Sequence, residues 1–225
     1  SGRLGIDQLG GLVLISGSFR IFKTELVREI GGYRTDTVTE DFELVMRIHR
    51  YLTQQGRDYQ VTFVPDPIAR TGVPSSFKEL AFQRRRWYHG LIDTLIRYRR
   101  MIANPHYGRA GMLVLPIILV VEGIGPLLEG LGYLVVPLLF LFGHLSFEIT
   151  LFFFLVTIGV GVFLSWLGVV SEFVGFRRYD QPQQVIWLLA IGIVENFGYQ
   201  QWKTLVKIRG FVEYLRGVDR WGSSG

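Results

Sequence analysis

Cysteine is absent from all 225 residues, which excludes a disulfide framework and a thiolate metal site. Histidine is scarce, at positions 49, 89, 106 and 144, and no two have the spacing of an HExxH zinc motif. No GxGxxG, P-loop or metal-ligand cluster occurs, so the common sequence signatures of nucleotide and metal sites are missing. A charged n-region followed by an apolar h-region is also missing, so no signal peptide is read. The most informative absence is of cations. From Ala110 to Phe176 there is no Lys or Arg, and the acids are Glu122, Glu129, Glu148 and Glu172. Burying a Lys or Arg in a bilayer costs roughly 2.5–3.5 kcal/mol on the insertion scale, so a cation-free block of this length is a membrane signature. The net charge of +5 therefore reads first as positive flanking of membrane segments and second as an anion site.

What is present is organised in three parts. Residues 1–74 read as mixed α/β. "GGLVLISGSFRIFK" (Gly10–Lys23) predicts a strand, a tight turn and a return. Thr24–Tyr33 predicts a short helix closed by Gly31 and Gly32. In the next helix Phe42, Val45, Met46 and His49 share one face, and Gly56 ends the run. Tyr59–Pro67 reads as a buried strand stopped by prolines. The opening "SGRLGIDQLGG" has the character of a domain interior, so the chain is expected to be a piece of a longer one.

Residues 75–109 form the second part, an amphipathic helix to about Met101 that opens on a capping box from Ser76 to Glu79. Leu80, Trp87, Leu91 and Leu95 are expected on one side, and Arg and Lys on the other. With Arg97, Arg99, Arg100 and Arg109 it has the composition of a helix lying on the cytoplasmic leaflet against acidic lipid.

Residues 110–225 are the membrane part. An unbroken helix over 111–143 would be roughly 50 Å long, too long for a ~30 Å hydrocarbon core, so a kink is expected at Pro126. A second span covers 149–171, with "HLSFE" (His144–Glu148) as a non-cytoplasmic loop. Basic flanks on both sides of 185–202 favour a helix lying in the interface over a further crossing. A basic amphipathic helix follows.

Two short stretches carry the candidate chemistry. "TEDFELVMRIHR" places Thr39, Glu40 and Asp41 where a helix begins. An N-cap with acids in the first turn explains this pattern fully. The alternative is a carboxylate aimed into a cleft, where Asp41 could take a proton from a hydroxyl. "FQRRRWYHG" has Gln83, Arg86 and Trp87 on one helical face, with Arg84 and Arg85 pointing elsewhere. A basic helix on acidic lipid, with Trp87 in the aromatic belt, explains it. Read more sharply, Arg86 would neutralise a diphosphate, Gln83 would fix polar groups and Trp87 would offer a flat face to a sugar ring. Glu122, Glu129 and Glu195 in apolar runs are expensive unless paired or at headgroup level. No nucleic-acid partner is expected, because the aromatic residues follow the membrane segments rather than the basic ones.

The pair "TED" and "QRRRW" resembles the T-E-D and Q-x-x-R-W motifs of membrane-embedded family 2 glycosyltransferases, the group that includes cellulose synthase-like, hyaluronan synthase-like and poly-N-acetylglucosamine synthase-like enzymes. "SGSFRIFKTELVREIGGYRTDTVTEDFEL", "NPHYGRAG", "ENFGYQQW" and "YLRGVDRWG" extend the likeness over essentially the whole chain. The resemblance implies a mainly α membrane protein: the C-terminal part of a GT-A α/β glycosyltransferase domain followed by interfacial and transmembrane helices. It implies Asp41 as general base, Thr39 and Glu40 shaping the acceptor pocket, Gln83 and Arg86 on the donor diphosphate, and Trp87 as acceptor platform. Inverting transfer from a nucleotide-sugar to a saccharide or lipid-linked acceptor is the implied reaction, on the cytoplasmic face of a bacterial inner membrane and among its lipids. A D-x-D motif for Mg²⁺ or Mn²⁺ does not occur in these residues. The metal is thus expected for a full-length enzyme, with no ligands in this stretch, and the stretch alone is expected to be inactive. The competing expectation is a non-enzymatic helical membrane subunit with a basic lipid-binding surface.

Overall fold

The computed structural model describes residue 13 and residues 19–62, 72–176 and 182–218, and among these it is mainly helical, with no strand. It divides into two compact units, one built on Pro126–Leu205 and a larger one on the residues up to Gly125 together with those from Val206 onward.

In the larger unit, α1 (Thr24–Glu29) is followed by α2 (Glu40–Gln54) and α3 (Phe77–Arg97). Three acids, Glu40, Asp41 and Glu43, occupy the first turn of α2, where they complement the helix dipole. The stripe expected on α2 is present, but α2 is enclosed on two sides. Phe42 and Met46 pack with Tyr88, Leu91, Ile92 and Leu95 of α3. Leu44, Ile48 and Leu52, at i, i+4 and i+8, pack with Leu26 and Ile30 on the α1 side. Each such buried side chain contributes about 1.5–3 kcal/mol.

α3 begins with the expected Ser76 cap, but the return bond of the capping box goes to Ser75, one residue before the N-cap. Ser76 Oγ accepts from the Glu79 amide at 3.2 Å, while the Glu79 carboxylate accepts from the Ser75 amide at 2.9 Å. The helix ends at Arg97, and a 3₁₀ turn (Arg99–Met101) carries the chain on. The buried line is Tyr88, Leu91, Ile92 and Leu95. Trp87, expected on that side, is exposed, because the core line runs one position further round the helix.

The strand expected over Tyr59–Pro67 is not formed by its described part, 59–62, which has no regular structure; the rest lies outside the described residues. The same holds for Gly10–Lys23, of which residue 13 and residues 19–23 are described and non-regular.

Two helices are long and apolar enough to cross a membrane, α4 (Ala110–Leu141) and α5 (Phe147–Ser171, continuing to Phe176). The irregularity expected at Pro126 starts earlier. Ala110–Val114 and Ile118–Ile124 are π-helical, and each widened stretch immediately precedes a proline turn, at Pro116 and Pro126. Proline has no N–H and its ring crowds the carbonyl four residues back; a wider turn relieves that crowding.

The expected helix over 185–202 is divided. α6 (Pro182–Val194) stops, a turn follows, and α7 (Tyr199–Leu215) begins. Within the unit built on Pro126–Leu205, α5 and α6 pack closely at small residues. A Cβ on Gly161 would lie 3.0 Å from Asn196 Cγ, and one on Gly192 would lie 3.3 Å from Ser165 Cβ. The acids there are satisfied by donors rather than cations. Glu195 accepts from Ser165 Oγ at 2.8 Å. Glu129 accepts from Tyr133 at 2.9 Å, Thr204 at 2.8 Å and Gln200 at 3.2 Å. In the larger unit Glu122 pairs with Lys207 at 3.0 Å.

Candidate functional site

Thr39 ends the loop that enters α2. Its backbone is the N-cap of α2, yet its hydroxyl makes no capping hydrogen bond. Instead the side chain lies against Gly90 of α3. A Cβ placed on Gly90 would be only 2.8 Å from Thr39 Cβ and closer still to its methyl and hydroxyl. Only glycine fits there. Position 90 shares a helical face with Gln83, Arg86 and Trp87, at i, i+3, i+4 and i+7. With a rise of 1.5 Å per residue, Trp87 and Arg86 lie about one turn along the axis from Thr39, and Gln83 about two.

Further ties hold this loop on α3. Thr37 Oγ1 donates to Asp93 at 3.4 Å, and Arg97 reaches Asp36 at 3.3 Å. Arg34 is forked onto Asp36 at 2.7 and 2.5 Å. The Arg34 and Arg97 guanidiniums hold the Asp36 carboxyl well below the usual carboxylate range. Deeper in, fully buried Glu43 of α2 accepts from Tyr98 at 2.6 Å and from Arg47 at 3.0 Å. Arg47 also donates to the carbonyls of Ile30 and Gly32. Burial and the Glu43 charge push the Tyr98 hydroxyl far above its ordinary pKa.

Asp41 is partly buried, and its two oxygens have different partners. Oδ1 accepts from the Phe42 amide at 2.8 Å, and Oδ2 receives Arg20 Nη2 at 2.8 Å. The carboxylate is thereby fixed in direction, with its charge supported by a guanidinium and a helix N-terminus. Glu40 is exposed. Among the described residues no contact joins Asp41 directly to Gln83, Arg86 or Trp87; the two motifs meet through Thr39 and Gly90.

On α3, Arg86 and Trp87 are exposed and Gln83 is half-buried. Arg86 has no ion-pair partner among the described residues, so its charge is open to a ligand. Arg85 points away as expected, to Glu213 of α7 at 3.1 Å, and Gly210 passes close enough that a Cβ there would be 2.8 Å from the Arg85 carbonyl. Arg84 corrects the sequence reading. Its guanidinium lies 5.2 Å from the centroid of the Trp87 ring rather than elsewhere, because i and i+3 are neighbours on a helix.

Beside the Thr39–Gly90 contact is a cavity of about 350 Å³ lined by Asp36, Thr37, Val38, His89, Asp93 and Tyr214. His89 meets Tyr214 edge to face, with ring centroids 5.4 Å apart. Reading the motifs alone misses Arg20, Gly90, His89 and Asp93. The signal available for three of them was position: Gly90 ends "FQRRRWYHG", His89 precedes it, and Asp93 falls one turn later. Arg20 carries no local signal.

No three His, Asp or Glu side chains converge among the described residues as a metal site would require. The divalent ion that the resemblance implies has no fitting ligand set among the described residues.

The family described as glycosyl transferase family group 2 matches residues 4–171. Poly-beta-1,6-N-acetyl-D-glucosamine synthase of Staphylococcus epidermidis strain RP62A is 31% identical over 88 residues, 39% of this chain and 20% of the relative. The enzyme of the same name from Staphylococcus aureus strain COL is 32% identical over 88 residues, again 39% of this chain and 20% of the relative. The alignment thus spans about a fifth of the curated relatives' length. No solved structure matches. With three quarters of its length matched, the chain belongs to glycosyl transferase family group 2.

Proposed function

We propose that the chain supplies the acceptor side and the diphosphate clamp of a membrane-bound inverting glycosyltransferase. The observation that carries this reading is the seating of Thr39 on Gly90, which brings the TED loop within about one helical turn of Arg86 and Trp87. In this reading residues 1–74 belong to the acceptor side of a GT-A domain, 75–109 to a helix at the cytoplasmic membrane surface, and 110–225 to the membrane region.

The chemistry follows from the side chains. Asp41, oriented by Arg20 and by the Phe42 amide at the start of α2, accepts the proton of an acceptor hydroxyl. The hydroxyl oxygen bonds to the anomeric carbon from the face opposite the diphosphate. The bond between that carbon and the diphosphate oxygen breaks, and its electron pair leaves on the nucleoside diphosphate. Arg86 neutralises the leaving charge with its planar fork, and Gln83, on the same face, hydrogen-bonds beside it. Trp87, backed by Arg84, presents a flat face on which the acceptor sugar stacks. Thr39 and Glu40 border the place where the acceptor hydroxyl enters.

The relatives' name makes N-acetylglucosamine the first sugar to try. Membranes from cells making the protein with its native flanking sequence would be given a panel of nucleotide-sugars, and transfer to saccharide and to lipid-linked acceptors measured. Transfer of one sugar, with its anomeric configuration inverted, is expected. Binding of acidic lipid without turnover of any donor would favour the non-enzymatic subunit.

A further inference from the structure

A second cavity, of about 520 Å³, lies at the C-terminal end of α3, shares Asp93 with the first, and has no part in the proposed transfer. It is lined by Arg50, Arg97, Tyr98, Arg99, Arg100 and Tyr107, with Asp93 as the one acid on its wall. We propose that it binds a phosphate-bearing anion, supplied by the headgroup of an acidic membrane lipid.

The charge balance carries the argument. Arg97 is occupied by Asp36 at 3.3 Å and Asp93 at 3.4 Å. Arg50, Arg99 and Arg100 are exposed and have no ion-pair partner among the described residues. Elsewhere in the same unit, cations that turn inward meet carboxylates: Arg20 has Asp41, Arg47 has Glu43, Arg85 has Glu213 and Lys207 has Glu122. Three guanidiniums gathered round one cavity, whose single acid is already paired with Arg97, repel one another, and an anion between them turns that repulsion into attraction. Their planar forks match phosphate oxygens two at a time.

The site is also built, not merely charged. Arg99 and Arg100 sit on a short 3₁₀ turn held from both sides. Met101 beneath it is buried. Asn104 Nδ2 donates to the Arg100 carbonyl at 3.0 Å, and the Ala103 amide donates to the Gly111 carbonyl at 2.9 Å. Gly111 lets that turn close: a Cβ there would stand 2.8 Å from the Met101 carbonyl oxygen and 2.6 Å from that of Asn104. Arg50 comes from α2, which the Glu43–Tyr98 hydrogen bond joins to the end of α3. After this turn and a second 3₁₀ turn, Pro105–Tyr107, the chain enters the apolar helix that starts at Ala110. A helix of that composition entering a bilayer puts Arg99, Arg100 and Tyr107 at headgroup depth. The lipid source therefore rests on the membrane reading of α4, while the anion site itself does not depend on the transferase reading.

The test is binding, not activity. Protein purified in a neutral detergent would be titrated with phosphatidylglycerol vesicles, with phosphatidylcholine vesicles and with inorganic phosphate. Phosphatidylglycerol is expected to bind and phosphatidylcholine not, with inorganic phosphate competing weakly. The triple variant Arg50→Gln, Arg99→Gln, Arg100→Gln is expected to lose at least roughly tenfold in affinity, about the effect of one charge-assisted contact. The charge-matched control Lys23→Gln, Arg28→Gln, Lys78→Gln is expected to keep it. Replacing the same three arginines by Lys retains the net charge and loses the forks, so an intermediate affinity is expected even if the Gln variant folds poorly. Equal losses in the Gln triple and its control would show diffuse surface attraction and overturn the site, as would an arginine-independent affinity. Binding of inorganic phosphate at the three arginines, with no preference for phosphatidylglycerol, would overturn the lipid as its source.

Discussion

At the scale of single residues, the account turns on how Thr39, Gly90, Asp41 and Arg20 are held. Gly90→Ala drives a methyl into the Thr39 side chain. It is expected to cost about 1–3 kcal/mol, as overpacking does, and to lower transfer by displacing the TED loop. Thr39→Ala in the Gly90→Ala background removes two of the three clashing atoms and should restore part of the stability, read by thermal unfolding. If the double variant is no more stable than Gly90→Ala alone, the two residues are not the contact described. Arg20 is a positioning residue for Asp41, so the two should be energetically coupled. Arg20→Met is expected to lower turnover in the parent protein and to change nothing further once Asp41 is Asn. An undiminished loss in the Asp41→Asn background would mean that Arg20 acts elsewhere. Periodicity does not disclose these contacts. Thr39 looks like an ordinary cap, and the reason it is not one stands on another helix. Arg20 looks like any cation after a turn, and its partner is 21 positions away. By contrast, the Ser76–Glu79 cap is a local hydrogen-bond pattern, and its Ser76 half was legible.

At the scale of elements, α2 and α3 form a clamp whose inner tie is a hydrogen bond from Tyr98 to a buried carboxylate. Glu43 has no exposure and depends on Tyr98 and Arg47 for its hydrogen bonds. Tyr98→Phe leaves one carboxylate oxygen without its hydroxyl donor, and about 1–3 kcal/mol of stability should be lost; denaturant titration measures it, and a neutral effect would contradict the clamp. The outer tie is Asp36. Its pKa is lowered in the folded chain, so its contribution is present above the ordinary carboxylate pKa, about 3.9, and is lost as pH falls through the lowered value. The stability of Asp36→Asn is therefore expected to lie below that of the parent at neutral pH and to approach it under acid. The gap should narrow at high salt, since the pair is exposed. Hydrophobic spacing correctly marked the face of α2 that carries Phe42 and Met46. It passed over the Leu44, Ile48 and Leu52 face, because one amphipathic stripe was enough to explain the helix. The inward Glu43 could not be foreseen, since its partners come from the end of a different helix. Helical spacing put Trp87 on one side with Leu91 and Leu95; it is exposed, and the core line passes through Tyr88 instead.

At the scale of the whole molecule, cation distribution and apolar length indicated the helices suited to a membrane, while paired motifs indicated the family. The strands expected in the α/β part are not formed by the described residues 19–23 and 59–62, and the rest of those segments lies outside the described residues. The absence of native cysteine makes the topology directly testable. A cysteine at Ser146, in the turn between α4 and α5, is expected to react with an impermeant thiol reagent in intact cells. One at Lys23 is expected to react only after lysis. The reverse pattern would invert the proposed orientation. The most direct test of the central claim compares turnover of Asp41→Asn, Arg86→Lys and Arg28→Lys in membranes carrying the protein with its native flanking sequence. Arg28 is exposed on α1 and has no ion-pair partner among the described residues, so it replaces Arg84, whose stacking on Trp87 disqualifies it as a control. Asp41→Asn should reduce turnover by roughly 10²–10⁴, the usual effect of losing a general base. Arg86→Lys should also abolish most activity, because it keeps the charge and loses the fork, while Arg28→Lys should match the parent. Equal and mild effects from all three, in protein that still inserts and folds, would contradict the account and leave the two motifs as a helix start and a membrane-surface helix.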